Sequence, residues 1–121
     1  MNILYMSVYS HKSGYSSAAA ETIRALATQP EVNLVTYPVS LGAEDDPTVN
    51  ADIRQYENKK VDQFDFSITH MPSYTYTYHA KGGINIGTFY FETVPVNNFW
   101  ARKASLFDAI SVPDDLMADA L

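Results

Sequence analysis

The chain has 121 residues, enough for one small domain. Hydrophobic residues at 46% and charged residues at 18% describe an ordinary globular protein, not a disordered chain. A formal net charge of -6 argues against a nucleic-acid surface, which clustered Lys and Arg would have to supply.

No cysteine is present. Disulfides and thiolate metal sites are thereby excluded, and a reducing, cytoplasmic setting is expected. Met1-Asn2-Ile3 offers neither a basic n-region nor a long apolar h-region, so the amino terminus reads as a core strand. Nothing approaches the roughly 18 consecutive apolar residues of a membrane-spanning helix.

Ile3 to Val8 predicts the first strand, followed by the polar loop Tyr9-Ser10-His11-Lys12-Ser13-Gly14. A helix follows, with Ala18, Ala19, Ile23 and Leu26 among its good formers, and Pro30 ends it. Val32 to Tyr37 predicts the second strand, stopped by Pro38. From Val39 to Asn50 the chain is a polar loop carrying Glu44-Asp45-Asp46, expected to be solvated. Residues 52–60 suit a short helix with Ile53 and Tyr56 inward, and Phe64 to His70 alternates towards a third strand. Tyr74-Thr75-Tyr76-Thr77-Tyr78 has the composition of a strand but the place of a crossover, and is assigned to a helix or irregular loop.

The run Ile84, Ile86, Phe89, Tyr90 and Phe91 is nearly continuous in apolar character, as befits a parallel strand covered on both faces. Pro95 opens the next predicted helix, in which Phe99, Lys103, Leu106 and Phe107 recur at helical spacing. Ala109 to Val112 forms a last short strand before Pro113. The pattern predicts an α/β domain: a three-layer, Rossmann-like parallel sheet in the order 3-2-1-4-5 over residues 1–121. A chain stopping soon after its fifth strand looks truncated, and an incomplete sheet predicts self-association through uncovered apolar surface.

The run Ile86-Gly87-Thr88-Phe89-Tyr90-Phe91-Glu92-Thr93, then a Pro and a Trp, then Asp108-Ala109-Ile110-Ser111-Val112-Pro113, resembles the amino-terminal domain of glycosyltransferase family 4. Phe91 and Ser111 stand where that family usually has Trp, and Asp114 where it has Ser. The resemblance implies the acceptor-side half of a GT-B enzyme that transfers a sugar from a nucleotide-sugar donor with retention, without a required metal or other cofactor. The donor-binding E-x7-E motif of that family's carboxyl-terminal domain has no counterpart here. The resemblance therefore implies a fragment with little activity alone.

Candidate site residues gather at the carboxyl ends of the predicted strands, where open α/β sheets bind ligands. Gly14 and Tyr15 occupy the loop where the family carries a glycine-rich turn facing the donor's diphosphate, although Gly14 equally well serves only to turn the chain. His70 ends the third strand, and the resemblance implies a role near the sugar. Glu92 and Thr93 lie beyond the central strand. Glu92 either accepts hydrogen bonds from acceptor hydroxyls or orients a neighbouring imidazole, or else it caps the following helix or pairs with Arg102. Tyr74 is a candidate for stacking on a sugar face. Three histidines without matching spacing predict no metal site. The alternative reading is a free-standing Rossmann-like or flavodoxin-like binding or regulatory module, weakened by His70 standing where a receiver-type module would have an Asp.

Overall fold

Ile3, Leu4 and Tyr5 are buried in succession, so the strand they form has both faces covered and must lie inside a sheet. The computed structural model describes residues 1–40, 42, 44–71, 83–88 and 102–112. Among them run five strands: β1 (Asn2–Ser7), β2 (Asn33–Pro38), β3 (Phe66–His70), β4 (Ile84–Thr88) and β5 (Ala109–Ser111). All pair in parallel, as the α/β reading expects.

The order is β2-β1-β3-β4-β5 and not the expected 3-2-1-4-5. Sequence burial explains the difference. β3 carries Phe66, Ile68 and His70 on one face and the buried Ser67 and Thr69 on the other, which is the dress of an interior strand. It takes the place beside β1, with Ile3 opposite Phe66 and Ser7 opposite His70. Among its described residues the connection before it supplies no strand to lie outside β2. Ile53, on the 3-10 helix Ala51–Tyr56, joins the cluster of Ile3, Tyr5, Ala19, Ala20 and Ile23, whereas residues 58–64 line a groove with Leu4, Met6 and Val35 on the opposite face. The connection thus touches both faces of the sheet near β2.

The first helix, α1 (Gly14–Ala27), buries Ser16, Ala19, Ala20 and Ile23 against β1 and β2. Small residues at i, i+3 and i+4 let it approach the sheet closely. On the other face Val8 and Met71 pack with Ala104 and Phe107. Helix there covers residues 102–104 and then unwinds, which leaves Leu106 54% exposed instead of on a buried stripe. Asp108, just before β5, forms a local clamp. Its carboxylate accepts from the Asn85 amide at 2.7 Å, and its own amide donates to the Asn85 carbonyl at 2.9 Å.

The acidic loop is exposed yet tied down. Arg54 forks onto both oxygens of Asp45 at 2.7 and 3.0 Å and also donates to Glu57 at 2.8 Å. Asp46 accepts from the Thr48 amide and hydroxyl. Arg54 also stands 5.9 Å from the centre of the buried Tyr9 ring.

Candidate functional site at the carboxyl edge of the sheet

From β1 the chain crosses to β2 on one side, while β3 lies on the other. The next strand after β1 lies on one side and the next after β3 on the other, which makes the carboxyl ends of β1 and β3 the switch point of an open parallel sheet. Gly14, Tyr15 and His70 all belong to this edge.

Ser13 enters α1 in an extended conformation, and its hydroxyl accepts from the Ser16 amide at 3.0 Å, an N-cap. Gly14 follows as the first helical residue. A methyl group added there meets nothing within 4 Å, and its φ is not left-handed. The turn itself therefore does not require glycine, and the space beside it is open. A cleft of about 750 Å³ lies there, lined by Lys12, Ser13, Gly14, Ser17, Thr48 and Asn50. Asn50 adopts a left-handed backbone at φ 51 and donates to both the Tyr9 carbonyl and the Ser16 hydroxyl at 3.0 Å. It thereby fastens the acidic loop to the start of α1. The helix terminus and Lys12 bring positive charge to this cleft, and Lys12 also lies near the Asp46 carboxylate.

His70 is only 2% exposed. Its Nδ1 lies 2.6 Å from the Tyr5 hydroxyl. Two aromatic rings meet it edge-on: Tyr5 at 5.9 Å between centroids and Tyr15 at 5.7 Å. Burial pushes its pKa down to about 4, so the imidazole is neutral at physiological pH. A second cleft of about 420 Å³ borders it, formed by Thr22 of α1, Ile68 of β3, Ile86 and Thr88 of β4, and Ser111 of β5. Across the ladder from His70, the Ser7 hydroxyl is buried with no hydrogen-bond partner among the described residues.

Tyr15 is the residue that unites the predicted site: it belongs to the Gly14 loop and touches the His70 ring. Glu92, Thr93 and Tyr74 lie outside the described residues, as do the tyrosine run and Trp100. His11, also considered at this edge, lines a surface cleft with the acidic loop, and its Nδ1 is buried without a partner among the described residues. Among the described residues no three His, Asp or Glu side chains come together as a metal site.

Tyr5, Asn50, Thr88 and Ser111 escaped the sequence reading. A signal existed for Tyr5 alone: alternation along β1 places it on the same strand face as Ser7 at the strand's carboxyl end. Asn50 reaches Tyr9 across 41 residues, which no local pattern reports.

Among the described residues no helix is long and apolar enough to cross a membrane. Compared with known protein families, with characterised proteins and with solved structures, the chain finds no match.

Proposed function

We propose that this chain is the amino-terminal, acceptor-side domain of a retaining glycosyltransferase of family 4, which in its complete GT-B form transfers a sugar from a nucleotide-sugar donor to an acceptor. The observation that carries the reading is the meeting of Tyr15 and His70 at the switch point, one from the loop after β1 and one from the end of β3. The resemblance across Ile86–Thr93 and Asp108–Pro113 adds to it, because the described parts of those two segments are the neighbouring strands β4 and β5. Lys12 and the start of α1 suit the donor's diphosphate, and hydroxyl-rich surroundings suit a sugar. The domain alone lacks the half that closes over the substrates and excludes water, so little transfer is expected from it.

The parent reading frame is the first test. Continuation into a second α/β domain bearing E-x7-E supports the reading. The protein that frame encodes should then release nucleoside diphosphate from a hexose donor only when acceptor is present. A stop after Leu121, with no glycoside bound by the chain, sinks it.

A second reading is favoured by the strand order. The succession 2-1-3-4-5 is that of flavodoxin-like domains, which also bind ligands at the β1/β3 switch point. In that case the domain acts alone as a binding or regulatory module, and the same reading-frame result would select it.

A further inference from the structure

We infer that the groove between β2 and the segment 58–64, on the sheet face opposite Tyr5 and His70, binds a small amphipathic anion. The class is an alkyl or aryl carboxylate, its apolar body laid along β1 and β2 and its charged end beside Lys59 and Lys60.

The floor of the groove comes from the sheet. Alternation along β1 and β2 sends Leu4, Met6 and Val35 to one face, with Leu4 opposite Val35 and Met6 opposite Tyr37 in the ladder. Leu4 and Val35 are each 6% exposed, whereas Tyr37 beside them is 60% exposed and offers a ring that a ligand can still cover. The roof is a strap fastened at both ends. Before it, Glu57 accepts from the Tyr9 hydroxyl at 2.7 Å and from Arg54 at 2.8 Å. Asn58, with a left-handed φ of 62, starts it. At its far end the Gln63 carbonyl accepts from the Asn2 side chain at 3.2 Å, while Asn2 and Asp65 exchange two bonds of 2.7 and 2.8 Å. Between these anchors Val61 and Phe64 face the floor across a space of about 510 Å³, within the roughly 300–1,000 Å³ of small-molecule sites.

Charge selects the ligand. The chain carries a net charge of -6, and its adjacent basic pairs are Lys59-Lys60 and Arg102-Lys103. The first of them lines this groove. The Lys59 ammonium stands 5.3 Å from the centre of the Tyr56 ring, which fixes where one of the two charges sits. Asp62 lines the groove as well, so its described lining carries a surplus of one positive charge. A single carboxylate balances that surplus, and a cation of the same shape meets repulsion. An aliphatic floor with aromatic walls takes up a hydrocarbon body, each buried methylene of which is worth up to about fourfold in affinity. The sugar-transfer reading of the carboxyl edge bears on none of these residues.

Methyl spectra of the full chain, labelled with 13C-methyl methionine, test the site at pH 7. The Met6 signal is the one absent from Met6→Leu. Decanoate, kept below its micellar concentration, should move that signal saturably. Octanoate and hexanoate should bind successively more weakly, by up to about fourfold per methylene removed, and acetate should leave Met6 unmoved. The double substitution Lys59→Glu, Lys60→Glu changes exposed side chains and should keep a folded amide spectrum while weakening decanoate at least about tenfold. Decyltrimethylammonium should bind the wild type more weakly than decanoate by a similar factor, a comparison that stands whether or not the variant folds. A Met6 signal indifferent to decanoate, an equal response to decyltrimethylammonium, or a folded double variant of unchanged affinity would overturn the inference. A Met6 signal that moves with protein concentration and not with decanoate would give the groove to a second copy of the chain and overturn it equally.

Discussion

His70 makes stability depend on pH in a window of its own. Burial lowers its pKa from the ordinary 6.5 to about 4, so between those values the unfolded chain binds a proton that the folded chain refuses. Stability from this group is therefore complete above pH 6.5 and is lost as the pH falls towards 4, by up to about 3 kcal/mol. Urea unfolding of the wild type should lose stability across that interval, and His70→Asn should flatten the curve there. The carboxylates held below their usual range, Asp45 by Arg54, Asp46 by Thr48 and Asp52 by Arg24, act in a lower window and leave this comparison clean. Two glycines give opposite forecasts. Gly83 has φ +47, and an added methyl would stand 2.7 Å from the Asp65 carbonyl oxygen, so Gly83→Ala should cost more than about 2 kcal/mol. Gly14→Ala meets open space inside a helix and should stabilise the chain by about 0.5–1 kcal/mol. If Gly14 is kept for a ligand's approach, the same substitution weakens ligand binding while raising the melting temperature, which a purely structural glycine would not do.

Elements were legible in the sequence where a period of two or of 3.6 repeats long enough to be read. β1, β2, β3 and α1 fall within a residue or two of expectation at most ends, because β-branched and aromatic runs end at Pro38 and the apolar face of α1 at Thr28. The connection from β2 to β3 was not legible, since its form depends on partners remote in sequence. The Tyr9 hydroxyl donates to Glu57 at 2.7 Å and stands 3.0 Å from the Thr36 hydroxyl, contacts spanning 48 and 27 residues. Arg54 completes this group from a side chain 19% exposed, facing Glu57 at 16%. Arg54→Met should consequently cost about 1–2 kcal/mol, because it leaves Glu57 partly buried beside Tyr9 without its cation. Arg24 also forks onto a carboxylate, that of Asp52, but at an exposed site. Arg24→Met should barely change the urea midpoint, and added salt should erase what change there is. Equal effects of the two substitutions would mean that the Arg54 group does not hold the connection in place.

For the molecule as a whole, the strand order decides which edge residues can meet, and it is open to direct measurement. The interior position of β3 brings His70 against Tyr5 and, through the loop after β1, against Tyr15. Had β3 lain outside β2, as the sequence alone predicted, β1 and β2 would have separated His70 from the β1/β4 crevice. In an interior strand successive amides bond alternately to the neighbours on either side. At a sheet edge every second amide points outward to solvent or to a loop. Hydrogen exchange should accordingly find the consecutive amides of Ser67, Ile68 and Thr69 all protected, opening only with global unfolding at about 5–15 kcal/mol. In β2, whose outer side carries no strand among the described residues, protection should alternate along Leu34, Val35, Thr36 and Tyr37. Alternating protection in β3 with continuous protection in β2 would restore the 3-2-1-4-5 order and dissolve the contact between Tyr5 and His70.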